Sequence, residues 1–473
     1  MDKKIQKLGK NVLLLTIGNF ASKILSFLLV PIYTAVLTTE EYGTADLFTT
    51  SANLVLPIFT LLIYESVMRF ALDKTEDKSQ VFSIGLWITL GGSVVVLIGT
   101  QLLYGIESIK LDDLFLFTLY FTSTALYNVV LQFVKGIEEV SIYSVAGVIN
   151  TFIYIVSNIL FLVVVKMGVT GYILSFIIGH IVSTGYAFFG AKLYRYIVSW
   201  KRIQIQKVKE MVVYALPMIP NSISWWVSNS SDKFILTFFW GTSINGIYSV
   251  AYKIPSILSI FLSIFIGAWQ ISAVEQFGTS ESQRFYSNVY EMYETLLVVG
   301  SSVLIAITRV LASVLYSADF YQAWLYTPIL ILASVFNSLA AFYGSIYTSS
   351  KNTGMLFYST LLGAVSNIVL NFILIPKWGA MGAAIATMVS YFIVWFIRII
   401  NSRRIMVIVS NHKRSFVSYT LLVIEIILLC FNTIELYPGI LLCSVFIFIL
   451  YRNNLRLIIE TILGRVVSNY KYK

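Results

Sequence analysis

Apolar stretches of bilayer-crossing length follow one another along this chain, and they leave it one way to fold. Hydrocarbon offers backbone N–H and C=O groups no partner, so each crossing segment pairs its own and is a helix. Such stretches lie at 11–37, 44–70, 81–104, 114–134, 144–165, 169–190, 211–239, 246–272, 288–312, 323–348, 355–375, 381–400, 416–432 and 438–451. The expected fold is an all-α polytopic membrane protein with about 14 transmembrane helices. Two parallel six-helix bundles, 1–190 and 211–400, are expected to enclose a central cavity; 191–210 is read as a basic linker helix, and 401–473 as two additional helices with a basic tail. Residues are 58% hydrophobic and 12% charged, and mean hydropathy is +0.82, which excludes the soluble classes. The opening MDKKIQKLGKNVLLLTIGNF has a signal-like basic start but no small-residue cleavage site, and is read as a retained first span.

The formal charge of +10 is explained by topology. With the N-terminus inside, 24 of the 33 Lys and Arg residues fall in cytoplasmic segments, while Lys110, Lys166 and Lys377 fall in external loops. The positive-inside rule then places both termini in the cytoplasm, and no nucleic acid is implied. KLYRYIVSWKRIQIQKVK, 192–209, reads as an interfacial helix touching lipid headgroups. External loops are too short for the catalytic domain of a glycan polymerase or ligase, so no enzyme is expected. Cys430 and Cys443 sit in apolar stretches as packing residues. No cluster has metal-ligand spacing and no glycine-rich loop suggests a nucleotide, so no cofactor is expected.

Charge at membrane depth marks candidate sites, because it is costly unless it faces a watered interior or a partner. Residues 211–258 carry Asp232, Lys233 and Lys253 with three prolines. Lys23 lies about twelve residues into the first span, near the midplane at 1.5 Å per residue. Lys233 is either a cavity cation or half of a structural pair with Asp232. Glu65 and Arg69, at i and i+4, have the order of a helical ion pair, with Arg69 a cavity cation if that face is inward. Arg309 and Arg398 read as interfacial anchors, and Glu425 as a helix contact. His180 could titrate in a proton-coupled cycle, though a hydrogen bond to a neighbouring helix is the simpler reading. Trp225, Trp226, Asn221 and Asn229 combine flat faces with amides suited to sugars, or are packing and belt residues.

An internal repeat links the halves: KMGVTG, 166–171, aligns with KWGAMG, 377–382, at an offset of 211. Six spans per half make the repeat parallel. KNVLLLTIGNFASKILSFLLVPIYTAVLTTEEYGTADL, LPMIPNSISWWVSNSSDKFILTFFWGTSINGIYSVAYKI and IPKWGAMGAAIAT resemble the polysaccharide-export branch of the multidrug/oligosaccharidyl-lipid/polysaccharide exporter superfamily. The resemblance implies a flippase for undecaprenyl-diphosphate-linked oligosaccharides of the O-antigen or capsule type. It also implies a cationic cavity with basic residues on the first and eighth helices, where Lys23 and Lys253 lie, and partners among the pathway's glycosyltransferases and polymerase; Lys233 and Arg69 are further candidates for holding the diphosphate. A lipid II flippase and a cation-coupled multidrug antiporter are the rival readings. The antiporter would favour cavity carboxylates, whereas the deepest charge of the first half is Lys23.

Overall fold

A computed structural model describes residues 27–103, 111–350, 352–431 and 434–470. Among them the regular structure is helical, and the chain divides into two compact units, Met1–Trp226 and Val227–Lys473.

In the first unit, α1 (Val30–Val36) leads into α2 (Thr39–Phe59) through a reciprocal cap. The Glu41 amide donates to Thr38 Oγ1 at 3.1 Å and the Thr38 amide to Glu41 Oε2 at 2.9 Å, satisfying two orphan donors. Pro57 removes a hydrogen bond near the end of α2, and Leu61 and Leu62 then adopt φ of 51°. Leucine rarely enters that region, and the chain bends by 59° into α3 (Ile63–Leu72). The bend is held by α4 (Lys78–Leu103), where a Cβ on Gly92 would stand 2.1 Å from the Phe59 carbonyl oxygen. Then follow α5 (Leu111–Gly136), α6 (Val140–Asn158, continued as a π-helical turn Ile159–Val164) and α7 (Gly168–Gly190). Ile63, Val67, Phe82, Val129, Phe133 and Met211 form the main core of this unit.

Residues 191–210 are not the single helix expected. Lys192 has φ 54°, two short 3₁₀ turns follow (Leu193–Tyr196 and Trp200–Arg202), and the α-helix α8 starts only at Ile205, running to Ala215. The cause is competition for the backbone from α4. Ser83 Oγ donates to Tyr196 O (3.0 Å) and accepts from the Val198 amide (2.8 Å), while Gln80 Nε2 donates to Arg202 O (3.0 Å) and Gln80 Oε1 accepts from the Gln204 amide (3.1 Å). The segment is an extended strap over α4, and Lys207 fastens α8 through Glu76 at 2.9 Å and Glu210 at 2.6 Å.

The chain passes into the second unit within α9 (Met218–Trp240), and α10 (Thr242–Ala251) and α11 (Lys253–Gln276) follow. Pro255 has no amide for the Ala251 carbonyl, so the helix breaks at Tyr252; Thr327 Oγ1, 3.3 Å from Ala251 O, partners the freed oxygen. Next come α12 (Ser282–Ala306), α13 (Thr308–Leu315) and α14 (Thr327–Ser349). Trp269 stacks on Phe342 with centroids 4.8 Å apart and donates to Ser345 Oγ at 2.8 Å, joining α11 to α14. The run Thr353–Ser402, α15, would be about 75 Å long if straight. Gly379 (φ 54°, ψ −132°) breaks it into two antiparallel arms that meet at Asn367–Thr387 and Ser359–Arg398. The unit closes with α16 (His412–Cys430) and α17 (Tyr437–Tyr470).

Eight helices among the described residues are long and apolar enough to cross a bilayer, or nine with the bent α2–α3 pair. The expected fourteen is not reached on that measure. That measure counts the two arms of α15 once; the seventh and eighth expected spans are each broken, at α8–α9 and α10–α11, and the first lies largely in 1–26, outside the described residues. Gly168 and Gly379, aligned at the offset of 211, both have positive φ, 55° and 54°.

Candidate functional site

The most concentrated polar group in the second unit surrounds Asp232, which is 1% exposed. Tyr248 and Tyr252, one turn apart across the α10–α11 junction, donate to Asp232 Oδ2 at 2.7 and 3.1 Å. Thr387 on the second arm of α15 donates to the same oxygen at 3.3 Å, and the Lys233 amide donates to Oδ1 at 3.0 Å. Behind Thr387, Asn367 Nδ2 lies 3.4 Å from its hydroxyl, and Asn367 Oδ1 accepts from Asn371 (2.9 Å) and Ser231 (3.1 Å). Asn371 Oδ1 is buried with no hydrogen-bond partner. A carboxylate set among hydroxyl and amide oxygens from three helices can take up a proton or a monovalent cation. Among the described residues no group of three His, Cys, Asp or Glu side chains could hold a metal ion.

Lys233 meets Asp232 through its backbone amide. Successive residues on a helix do not face each other, so the carboxylate turns to the tyrosines while Lys233 Nζ lies 5.9 Å from the centre of the Tyr252 ring. Lys253 is half-buried at the Pro255 break. Lys23 lies outside the described residues.

Glu65 and Arg69 form no ion pair. The break at Leu61–Leu62 starts a new helix, placing Glu65 in the first turn of α3 and Arg69 in its last, where each complements the helix dipole; Lys135 is the cation acting on Glu65. Trp226 Nε1 donates to Thr50 O at 2.9 Å, a packing role, while Trp225 and Asn221 are exposed. Asn229 Oδ1 accepts from Tyr391 at 2.6 Å.

His180 lies in the first unit, stacked on Tyr127 at 4.8 Å with Thr124 Oγ1 3.2 Å from Nδ1. Arg398 is not an interfacial anchor. It is 2% exposed and ties α14 to both arms of α15 by donating to Ala340 O, Ser359 Oγ and Thr360 Oγ1, and Gly344 lies against its guanidinium. Arg309 lies 4.3 Å from the Trp324 ring centre and donates to Leu429 O. Glu425 is the expected helix contact, accepting from Ser302 (2.7 Å) and Ser444 (2.8 Å).

The sequence reading missed Tyr248, Tyr252, Asn367, Asn371, Thr387 and the buried Glu294. The i, i+4 spacing of Tyr248 with Tyr252, and of Asn367 with Asn371, was the available signal, since each pair shares a helix face.

Helices of membrane-crossing length and apolarity define a multi-pass membrane protein. A solved lipid II flippase, MurJ in an inward closed conformation, superposes with a TM-score of 0.70 at 13% identity, covering 93% of this chain and 99% of that one. An inward-facing multidrug resistance MATE family transporter of the MOP superfamily gives 0.68 at 11% identity, over 82% and 98%. These likenesses establish the fold. The profile of the polysaccharide biosynthesis protein family matches residues 8–270, and the chain belongs to that family. It is 26% identical to an uncharacterized membrane protein of Methanocaldococcus jannaschii over 223 residues, and 23% identical over 197 residues to Agl15 of Haloferax volcanii, a probable low-salt glycan biosynthesis flippase. These alignments span 44% and 41% of this chain, and 44% and 42% of the relatives' own lengths.

Proposed function

We propose that this protein is a flippase that moves undecaprenyl-diphosphate-linked oligosaccharide repeat units from the cytoplasmic to the external leaflet of a bacterial plasma membrane. The observation that carries the reading is the polysaccharide biosynthesis family match over 8–270. In this reading the bundles 1–190 and 211–400 alternate access, with both termini cytoplasmic. Lys23, Lys253, Lys233 and Arg69 receive the diphosphate, and Trp225, Trp226, Asn221 and Asn229 offer contacts to the glycan. Asp232, with Thr387, Asn367 and Asn371, takes the coupling proton or monovalent cation; Glu65 and His180 are lesser candidates for that role. The protein catalyses no bond change, and pathway glycosyltransferases and a polymerase act before and after it.

Depletion tests the reading. An oligosaccharyl diphospholipid that accumulates on the cytoplasmic side, resolved by mass spectrometry and an impermeant glycosyl label, supports it. Unchanged lipid intermediates with raised sensitivity to cationic dyes would favour a drug antiporter. A lipid II flippase is the second reading, supported by the wider structural match, 93% of this chain against 82% for the MATE transporter. Accumulation of lipid II in the same extracts would select it.

A further inference from the structure

The strap over α4 divides its side chains into two sets. Leu193 is fully buried, Tyr196 packs at 5.3 Å against the Phe133 ring, and the backbone of 196–204 is spent on Gln80, Ser83 and Trp87 of α4. The outward set alternates cations with apolar and aromatic groups. Lys192, Arg195, Lys201, Arg202 and Lys209 are exposed, and between them Tyr194 is 50%, Ile197 41%, Trp200 54% and Ile205 84% exposed. Of the basic residues in this stretch, Lys207 alone has a carboxylate partner among the described residues.

From this we infer that residues 192–209 form a docking surface for anionic phospholipid headgroups, held in register by α4. Two features favour a membrane over a water-soluble partner. Trp and Tyr with interspersed Lys and Arg is the composition that settles at the headgroup level, where the ring enters the acyl boundary and the cation stays with phosphate. The surface also continues directly from the ends of membrane helices α4 and α7, so it has only to lie on the bilayer that already holds them. Pinning the backbone matters because the cations are presented without being ordered on binding, which removes an entropic cost that a free linker would carry. The inference needs only the membrane assignment and stands whichever cargo is carried.

The test places the full-length protein in nanodiscs of phosphatidylcholine with phosphatidylglycerol, either lipid carrying bromine on its acyl chains as a fluorescence quencher. The signal of Trp200 is taken as the difference between wild type and W200F. Brominated phosphatidylglycerol should quench it more than brominated phosphatidylcholine, and rising salt should erase the excess. K201Q with R202Q should lower the association ratio about fivefold for each charge removed, with an unchanged melting temperature. Equal quenching by the two lipids in wild type overturns the inference and leaves the surface to a soluble partner. Loss of the excess on adding soluble pyrophosphate at constant ionic strength also overturns it, in favour of a diphosphate site. The salt titration is made on wild type, so the inference can fail even if the double variant does not fold.

Discussion

Removing the Tyr248 hydroxyl should cost more when Asp232 is present than when its charge has been replaced by an amide. The bond is short, 2.7 Å, and both residues are buried. A hydrogen bond to a charged group contributes about 1.5–3 kcal/mol in water-soluble folds. Interhelical bonds in lipid average nearer 0.6 and reach about 1.7 kcal/mol, because the unfolded chain in the membrane also finds partners. In Y248F the Asp232 carboxylate keeps Tyr252, Thr387 and the Lys233 amide, so it is not orphaned and the single cost should be about 1.5 kcal/mol. In D232N the acceptor is neutral, and adding Y248F should cost about 0.5 kcal/mol. The coupling is therefore about 1 kcal/mol. Unfolding by titrated dodecyl sulfate in mixed micelles measures all four corners of the cycle. Coupling near zero, or of opposite sign, would refute the placement of this hydroxyl on this carboxylate. Export in cells should separate the two residues: Y248F retains it, while D232N, unable to hold a proton or cation by charge, loses it.

Gly92→Ala should destabilise the first unit by about 3 kcal/mol, since the intruding carbon meets the Phe59 carbonyl at 2.1 Å and backbone cannot yield as a side-chain tip can; a melting temperature within a degree of wild type would contradict this. W226F, which loses the bond to Thr50 O but keeps an aromatic face, should cost about 1 kcal/mol and reduce export less than W225A, in which the exposed ring is removed. The fastening of α8 should be pH-insensitive between about 5 and 10. Hydrogen bonds donated to Glu210 and then to Glu76 raise the Lys207 pKa, so its contribution is full below the ordinary lysine value and fades as pH rises through the raised one. The Lys207 bond lowers Glu210, whose contribution is full above the ordinary glutamate value and fades as pH falls through the lowered one. Amide exchange across Ile205–Ala215, corrected for intrinsic rate, should accelerate only outside that window; acceleration near pH 7 would contradict it.

Helix positions were legible because hydrocarbon admits little else, and the apolar runs locate most of them within a few residues. Breaks were less legible. Leu61 and Leu62 are strong helix formers, and the residue that lets their bend pack, Gly92, lies thirty positions on. The strap failed differently. Its apolar and basic spacing suits a helix, but Ser83 and Gln80, more than a hundred residues earlier, claim the backbone bonds that a helix would use. At the site, sequence proximity misled: Asp232 was set beside Lys233, while three of its four donors come from Tyr248, Tyr252 and Thr387. Partners that distant leave no local trace beyond the period of their own helices.

The sequence repeat does not carry the same chemistry in its two copies. The offset of 211 that superposes Gly168 on Gly379 sets Phe176 opposite Thr387 and His180 opposite Tyr391. In the first unit those positions belong to an aromatic cluster: Phe176 packs on Tyr154 at 4.2 Å and on Tyr172 at 5.3 Å, and Tyr33 and Tyr154 share a hydroxyl contact at 2.6 Å. In the second they close around Asp232. A bound ion shifts a conformational equilibrium only as far as it binds two arrangements differently. The Asp232 cluster draws donors from α9, the α10–α11 junction and the second arm of α15, so moving any of these changes the number of oxygens available to an ion, whereas the aromatic cluster offers ring faces and the Tyr33–Tyr154 hydroxyl contact. Under the proposed function, uptake of the coupling ion therefore acts within the second unit.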